Sequence, residues 1–226
     1  MDKNKLREQG QGIVEYALFV ALLLATIFLS LQMLGISLRD AFTMVYCGIS
    51  RSSACQSLFS DDFNNLNAWT IVRGIWKTEN GKLLAGPGEG RIFRELSQKD
   101  YVISLNGAQL FQGNGYGIFF RATNPGAVNG YSFQYDPGYG GFIFRKWVNG
   151  NEISPPFAIA RAPSFDWYSK ARNVQVVVQG DTYIAYVDGV KVLEARDSTY
   201  LEGGMGLRTW DNSTISVDQV TVNSVK

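Results

Sequence analysis

The stretch that decides the fold is residues 173–195, NVQVVVQGDTYIAYVDGVKVLEA. Apolar and polar residues largely alternate through NVQVVVQ and TYIAYV, and this period of two is typical of β-strands with one buried face. The dipeptide Asp188-Gly189 separates two such runs, and this dipeptide is a strong signal for a two-residue hairpin turn. The segment therefore predicts consecutive antiparallel strands.

Similar runs continue through residues 61–226, where YGIFFRA, YSFQY, FIFRKWV and ISVDQVTV are separated by Gly, Asn, Asp and Pro. No helical period of useful length appears among them. Many short strands at intervals of about 8–12 residues indicate a two-sheet antiparallel sandwich or jelly roll. This segment, which holds all six prolines and all five tryptophans, is long enough to bury its own core.

The order of these runs along residues 61–226 resembles the concanavalin A-like, laminin-G-like sandwich modules of secreted carbohydrate-active proteins. The resemblance implies a jelly-roll head domain. That family includes lectin-like binding modules, glycoside hydrolases and structural domains, so the fold does not choose among these functions.

The N-terminal part is of a different kind. From Tyr16 to Leu38, twenty-three residues carry no charge, which at about 1.5 Å per residue covers a hydrocarbon core of roughly 30 Å. A secretory signal peptide is the main alternative, but its apolar region is shorter and ends at a small-residue cleavage site. Basic residues precede the span, so the N-terminus is expected in the cytoplasm and the head outside.

The residues GQGIVEYAL, from Gly10 to Leu18, resemble the processing site of Flp (Tad-type, type IVb) pilins. The resemblance implies cleavage between Gly10 and Gln11 by a prepilin peptidase, and it implies that Glu15 and Tyr16 act in subunit assembly. A carboxylate at the start of a membrane span is otherwise explained by snorkelling into the headgroups.

Together these features predict an α+β chain, in which a long N-terminal transmembrane and assembly helix precedes an antiparallel, concanavalin A-like β-sandwich. The predicted parts are a leader at residues 1–10, a pilin helix at 11–46, a linker at 47–60 and the head at 61–226. Cys47 and Cys55 lie in the linker. An extracellular location favours a disulfide between them, with two free thiols as the alternative.

The chain of 226 residues has no histidine and a net charge of +1. The first fact excludes Ser-His-Asp and Cys-His nucleophile systems and imidazole zinc sites, and the second gives no reason to expect nucleic acid. The ExDxxE motif of many hydrolases with this fold is absent, although a carboxylate pair such as Glu89 with Glu95 stays open. We therefore expect a protein that is not an enzyme.

A glycan site would combine aromatic platforms with planar hydrogen-bonding groups. The candidates are Arg121, Tyr135, Asp136, Tyr139, Arg145, Trp147, Trp210 and Asn212. The alternative for each aromatic residue is ordinary packing in the core or at its rim.

Asp61, Asp62 and Asp218 resemble carboxylates that tie terminal strands together through calcium in some sandwich modules. Calcium takes six to eight oxygen ligands, which three acids and backbone carbonyls could supply. Solvated acids in turns and edge strands are the alternative. No other cofactor is expected.

The sequence thus predicts a pilin subunit of an extracellular Tad-type (type IV, fimbrial) filament, with the helix in the filament core and the head displayed for adhesion or glycan binding. Its expected partners are other copies of itself, the prepilin peptidase, the inner-membrane assembly machinery and surface glycans. It is expected in the inner membrane before assembly and on the cell surface afterwards. The alternative is a membrane-tethered carbohydrate-binding or glycan-processing protein.

Overall fold

The computed structural model describes residues 16, 18–23, 26 and 57–225. The chain divides into two compact units, Met1–Ser50 and Arg51–Lys226. In the first unit, Tyr16, residues 18–23 and Thr26 are helical. Within the described residues, no helix is long and apolar enough to cross a membrane. The predicted leader, cleavage site, Glu15 and both cysteines lie outside the described residues.

Over its described residues, 57–225, the second unit has seventeen β-strands and one 3-10 turn at Pro125–Ala127. The strands are β1 Ser57–Asp61, β2 Thr70–Arg73, β3 Trp76–Glu79, β4 Lys82–Ala85, β5 Gly90–Arg94, β6 Tyr101–Gln112, β7 Tyr116–Thr123, β8 Asn129–Asp136, β9 Gly141–Val148, β10 Asn151–Glu152, β11 Ala158–Arg161, β12 Arg172–Gln179, β13 Thr182–Val187, β14 Val190–Arg196, β15 Gly204–Thr209, β16 Thr214–Val217 and β17 Gln219–Ser224.

The strands form two antiparallel sheets. The nine-stranded sheet has the order β14-β13-β12-β6-β16-β4-β3, with β17 pairing with both β6 and β1. The eight-stranded sheet has the order β10-β9-β8-β7-β15-β5-β2, with β11 pairing with β9. The sandwich therefore includes Ser57–Asp61, which begins four residues before the predicted start of the head and pairs with β17.

The hairpin predicted from residues 173–195 is confirmed. Strands β12 and β13 pair from Val174↔Val187 to Gln179↔Thr182, and β13 continues into β14 through Asp188-Gly189. Both turn residues have positive φ, 51° and 77°, as the favoured two-residue hairpin turns require.

The core lies between the sheets, where alternate residues of each strand point inwards. In β12 these are Val174, Val176 and Val178, all fully buried. Strand β8 differs, because seven of its eight residues are buried, including the outward-pointing Gln134 and Asp136. The outer face of the eight-stranded sheet is therefore covered by side chains of its own, which form the site described below.

The antiparallel sandwich agrees with the prediction for residues 61–226, but the α+β class is wrong. The regular structure of residues 57–225 is all β apart from the one 3-10 turn. The predicted long transmembrane helix is likewise not found in the described part of the chain. The strand pattern is confirmed, whereas the helical part of the predicted class depended on an apolar run and a short pilin-like motif.

Candidate functional site

A cluster of charged and polar side chains covers the middle of the eight-stranded sheet on the face away from the core. We call it the charged cluster, and its members are Glu89, Arg91, Gln134, Arg145, Glu152 and Arg208. Arg91, Gln134, Arg145 and Arg208 occupy positions on β5, β8, β9 and β15 that alternate with core residues. Side chains of alternate strand residues share one face, so this alternation brings four strands' polar groups together.

Arg208 is the centre of the charged cluster. Its Nε and Nη2 donate to the two carboxylate oxygens of Glu89 at 3.3 and 3.2 Å, and its Nη1 donates to Glu152 Oε1 at 2.5 Å. The guanidinium carbon also lies 4.8 Å from the ring centroid of Trp147 and 4.9 Å from that of Trp210. Two carboxylates and two indoles thus fix the plane of this one cation.

The other members extend the network to both sides. Arg91 Nε donates to Glu89 Oε1 at 3.0 Å. Gln134 Nε2 donates to Glu152 Oε1 at 2.6 Å, and Gln134 Oε1 accepts from Arg145 Nε at 3.0 Å. These contacts of Arg91 and Arg145 use the Nε atom of each guanidinium.

Trp147 forms the floor of the charged cluster and is only 1% exposed. Its Nε1 donates to Ser132 Oγ at 2.9 Å, and its ring meets Phe119 edge to face at 5.2 Å. Trp147 belongs to a small apolar cluster that is separate from the main core. Arg91 lies over its ring, 5.0 Å from the centroid. Trp147 therefore supports the guanidiniums above it and is not itself a surface platform.

Two other aromatic rings reach solvent at the rim. Tyr139, in the turn between β8 and β9, is 37% exposed, and its ring lies between Arg145 and Arg161 at 5.4 and 4.7 Å. Trp210, just after β15, is half-buried, and its ring lies across the backbone of Gly115. The absence of a side chain at Gly115 makes this close approach possible, since any Cβ there would contact the ring.

Asp136 lies at the end of β8 next to the charged cluster and is only 7% exposed. Burial raises its pKa from 3.8 to about 6, although the Tyr139 N–H and the nearby Arg145 lower the pKa in part. Its Oδ1 accepts the Tyr139 N–H at 2.7 Å. The carboxyl is thus engaged with the turn that carries the Tyr139 ring.

The chemistry of this face suits a ligand rich in hydroxyl groups. Guanidiniums only donate hydrogen bonds and carboxylates only accept them, whereas a hydroxyl does both. The guanidiniums of the charged cluster lie against the carboxylates of Glu89 and Glu152, so donors and acceptors of opposite charge stand side by side on this face. Tyr139 and Trp210 add flat apolar surfaces at the edge.

The structure brings together five of the eight predicted glycan residues: Asp136, Tyr139, Arg145, Trp147 and Trp210. The other three lie elsewhere. Tyr135 is a core residue whose ring stacks on Tyr116 at 5.0 Å and whose hydroxyl donates to Trp167 O. Asn212 lies in an exposed turn after Trp210.

Arg121 is 1% exposed and points away from the charged cluster. Its guanidinium donates to Tyr183 Oη, Tyr200 O, Lys99 O and Asp100 Oδ1 at 3.1–3.2 Å. These contacts join the ends of several strands, so Arg121 is positioned to stabilise the fold and not to bind a ligand.

Sequence reasoning did not identify Glu89, Arg91, Gln134, Glu152 and Arg208 as a site. A signal was present for some of them: in YSFQYD the aromatic residues of β8 alternate with Ser132, Gln134 and Asp136, and in GMGLRT of β15 Arg208 alternates with Leu207. Glu89 precedes β5 in a glycine-rich loop and carried no such signal. Glu89 and Glu95 flank opposite ends of β5, roughly 20 Å apart at about 3.3 Å per residue, which is too far for a glycosidase pair.

The three acids expected to bind calcium have other partners. Asp61 accepts from Phe63 N and Trp69 Nε1 at 2.8 and 2.7 Å, and Asp218 accepts from Lys82 Nζ at 2.6 Å. Asp62 accepts from an asparagine two residues on. Across residues 57–225, no three His, Cys, Asp or Glu side chains form a group that could hold a metal. These residues therefore fit a calcium ion poorly, and calcium stays a prediction.

Comparisons with known proteins agree with the sandwich. Residues 55–223 match the family described as 3-keto-alpha-glucoside-1,2-lyase-like domain. A levanase of Bacillus subtilis is 29% identical over 156 residues, which are 67% of this chain and 22% of that protein. This chain therefore corresponds to about a fifth of the length of the levanase.

Solved structures show the same fold. The carbohydrate-binding module CBM66 of Bacillus subtilis is 26% identical, with a TM-score of 0.62 over 70% of this chain and 96% of the module. The exoplasmic domain of VIP36, in a form described as Ca2+/Man-bound, has a TM-score of 0.61 over 76% of this chain and 91% of that domain. At 10% identity the VIP36 domain shows similarity of fold alone.

The prediction of a Tad-type pilin is wrong. It depended on a nine-residue motif and an apolar run, whereas residues 55–223 match a 3-keto-alpha-glucoside-1,2-lyase-like domain and the chain is similar to a levanase and to a carbohydrate-binding module. The filament, its assembly partners and the adhesive pilus head are withdrawn with it. The alternative interpretation, carbohydrate binding, agrees better with these relatives.

Proposed function

The chain belongs to the family of 3-keto-alpha-glucoside-1,2-lyase-like domains, and from this premise we propose that it binds a glycan on the outer face of its eight-stranded sheet. The observation that carries the proposal is the charged cluster itself. It combines paired guanidiniums and carboxylates with two rim rings, Tyr139 and Trp210, that solvent reaches.

A sugar ring presents hydroxyl groups at its edge and C–H groups on its faces. The charged cluster offers donors from Arg91 and Arg145 next to acceptors from Glu89 and Glu152, so neighbouring hydroxyls could each donate and accept. The carboxylates are about a quarter exposed, 27% for Glu89 and 28% for Glu152. A few polar groups beside aromatic surface are typical of ligand-binding sites, where the polar groups fix the orientation of the ligand.

Levan is the first ligand to test. The relatives that support it are a levanase at 29% identity and a carbohydrate-binding module at 26% identity. Both come from the same species, and the module is covered almost completely by this chain.

We further propose that the chain binds the glycan without cleaving it. The carboxylates of Glu89 and Glu152 are both held by Arg208, and Asp136 is buried against the Tyr139 N–H. A glycosidase needs one carboxylic acid and one carboxylate that both reach the scissile bond. Incubation with levan should therefore release no oligosaccharide, as checked by chromatography of the products.

Isothermal titration calorimetry of the full chain against levan, inulin, dextran and mannan tests the proposal. We expect saturable binding to at least one polymer. Glu152→Gln should weaken that binding about tenfold or more, because Arg208, Arg145 and Gln134 lose their charged acceptor. Thermal unfolding of the variant shows whether it is folded.

Glu194→Gln is the matched control. Glu194 lies on β14 of the other sheet, where it pairs with the exposed Lys191 at 2.9 Å, and the substitution changes the net charge equally. Its affinity should equal that of the wild type. The proposal fails if no polymer binds, or if Glu152→Gln and Glu194→Gln both bind as tightly as the wild type.

A further inference from the structure

Asp136 accepts a hydrogen bond from the turn between β8 and β9 and so stabilises this turn. This turn, Pro137–Gly140, carries the exposed Tyr139 ring at the rim of the charged cluster. The Oδ1 atom of Asp136 accepts the Tyr139 N–H at 2.7 Å, and the turn closes through Gly140 N to Pro137 O at 3.1 Å. Because the ring and this N–H belong to one residue, the carboxyl anchors the backbone from which the ring projects.

We infer that Asp136 is a positioning residue whose ionised carboxylate latches the Tyr139 turn over the charged cluster, and that protonation of this carboxylate loosens the turn. The inference rests on the proposed glycan site and names its regulation. Loss of the latch lets the Tyr139 ring leave the place where it faces a bound ligand. Glycan affinity should therefore fall when the solution becomes mildly acidic.

The thermodynamic linkage between proton binding at Asp136 and its hydrogen bond to the Tyr139 N–H supports the predicted loosening of the turn in acid. The Tyr139 N–H lowers the pKa of Asp136, which means that the bond is stronger to the ionised carboxylate than to the neutral acid. Protonation must then weaken the bond by the same free energy. Burial outweighs this effect and raises the pKa to about 6, so the change falls within an accessible pH range.

Charged groups from several elements face Asp136. Arg145 on β9 and Arg208 on β15 favour its ionised form, and Glu152 on β10 opposes it. Arg161 on β11 holds the turn from the other side, because its Nη1 donates to the Tyr139 carbonyl and its guanidinium lies 4.7 Å from the ring centroid. The turn is therefore supported by the carboxyl of Asp136 on one side and by the guanidinium of Arg161 on the other.

The latch can be tested without any glycan. In the ligand-free full chain labelled with 15N-tyrosine and 13C-aspartate, NMR should show the Asp136 carboxyl and the Tyr139 amide shifting together, with a midpoint near pH 6. The shift of the Tyr139 amide should disappear in Asp136→Asn, whose neutral amide oxygen mimics the protonated state. A midpoint below about 4.5, which is the unperturbed range of a carboxyl, or a Tyr139 amide that does not follow the carboxyl, overturns the inference.

Calorimetry with levan then measures the effect on binding. Wild-type affinity should fall about fivefold from pH 7.5 to pH 5, the difference expected between a charged and a neutral acceptor. Asp136→Asn should bind equally at both pH values, at the lower affinity. Asp181→Asn, which removes an exposed carboxylate elsewhere, should keep the wild-type profile.

The two proposals fail differently. Levan binding that is equally tight at pH 7.5 and pH 5 leaves the glycan site standing and overturns the latch. A chain that binds none of the four polymers, yet shows the coupled NMR titration, contradicts the proposed function and supports the latch.

Discussion

Replacing Arg121 by methionine should cost stability and leave glycan affinity unchanged. Methionine keeps the aliphatic part of the side chain and the same backbone conformation, which is strained at φ 47° in the native chain. It removes four hydrogen bonds, to Tyr183 Oη, Tyr200 O, Lys99 O and Asp100 Oδ1.

The size of the expected loss of stability depends on which hydrogen-bond partners of Arg121 can bond to water in the variant. The Asp100 side chain is 40% exposed and finds water, and the Tyr183 hydroxyl keeps its bond to Asp197 O at 2.7 Å. The carbonyls of Tyr200 and Lys99 lose a charged donor near the core, and each of these hydrogen bonds is worth about 1.5–3 kcal/mol. The Nε of Arg121 is buried without a partner, so its removal returns part of this cost. The free energy of unfolding should fall by about 3 kcal/mol.

For a domain of this size, that loss lowers the melting temperature by roughly 6–12 °C. Differential scanning calorimetry measures it, with Arg196→Met as the control, since Arg196 is exposed on β14 and should change the free energy by less than about 0.5 kcal/mol. A fall below about 2 °C would refute the structural role. A loss of levan affinity at a temperature where the variant is folded would refute its separation from the binding site.

Two further predictions concern the sandwich. Burial raises the pKa of Asp197, but hydrogen bonds, first that from Lys146, outweigh burial and hold the pKa well below its usual range. Asp197 therefore stabilises the fold above about pH 4, the unfolded pKa, and this stabilisation is lost as the pH falls through the folded pKa. Urea unfolding at pH 5 and pH 2 should show a smaller acid-induced loss of stability in Asp197→Asn than in the wild type, and an equal loss contradicts the assignment. Gly115→Ala should destabilise the fold by about 2 kcal/mol or more, because Gly115 has φ 132° and a Cβ there clashes with the Tyr135 carbonyl; a melting temperature equal to that of the wild type would contradict this.

The sequence predicted the sandwich because its strands repeat one strong signal. The alternation of apolar and polar residues in β12 and β13, with the Asp188-Gly189 turn between β13 and β14, predicts both the direction and the register of these strands. The N-terminal prediction failed because a short motif carries few constraints. Nine residues can resemble a processing site, whereas a long succession of short strands and turns agrees with only a few folds.

The candidate site was predictable only in part. Tyr135 and Trp147 are alike as residue types, but Tyr135 points into the core and Trp147 lies on the outer face, and only the strand register separates them. The contacts of Arg121 could not be predicted locally, because its partners Lys99 and Tyr200 are distant in sequence. Glu89 joins the site through Arg208, more than a hundred residues away, and no local pattern contains such a pairing.

The balance of charge on the outer face has a consequence for how a ligand arrives. The charged cluster sets the guanidiniums of Arg91 and Arg208 directly against the carboxylates of Glu89 and Glu152. Much of its field therefore cancels within a short distance, and the whole chain carries only +1. Electrostatic steering needs a net potential that extends about a Debye length or more into solution. The face therefore does not gather ions from a distance. Capture of an uncharged glycan, the ligand proposed above, should therefore proceed at nearly the same rate in dilute buffer and in concentrated salt.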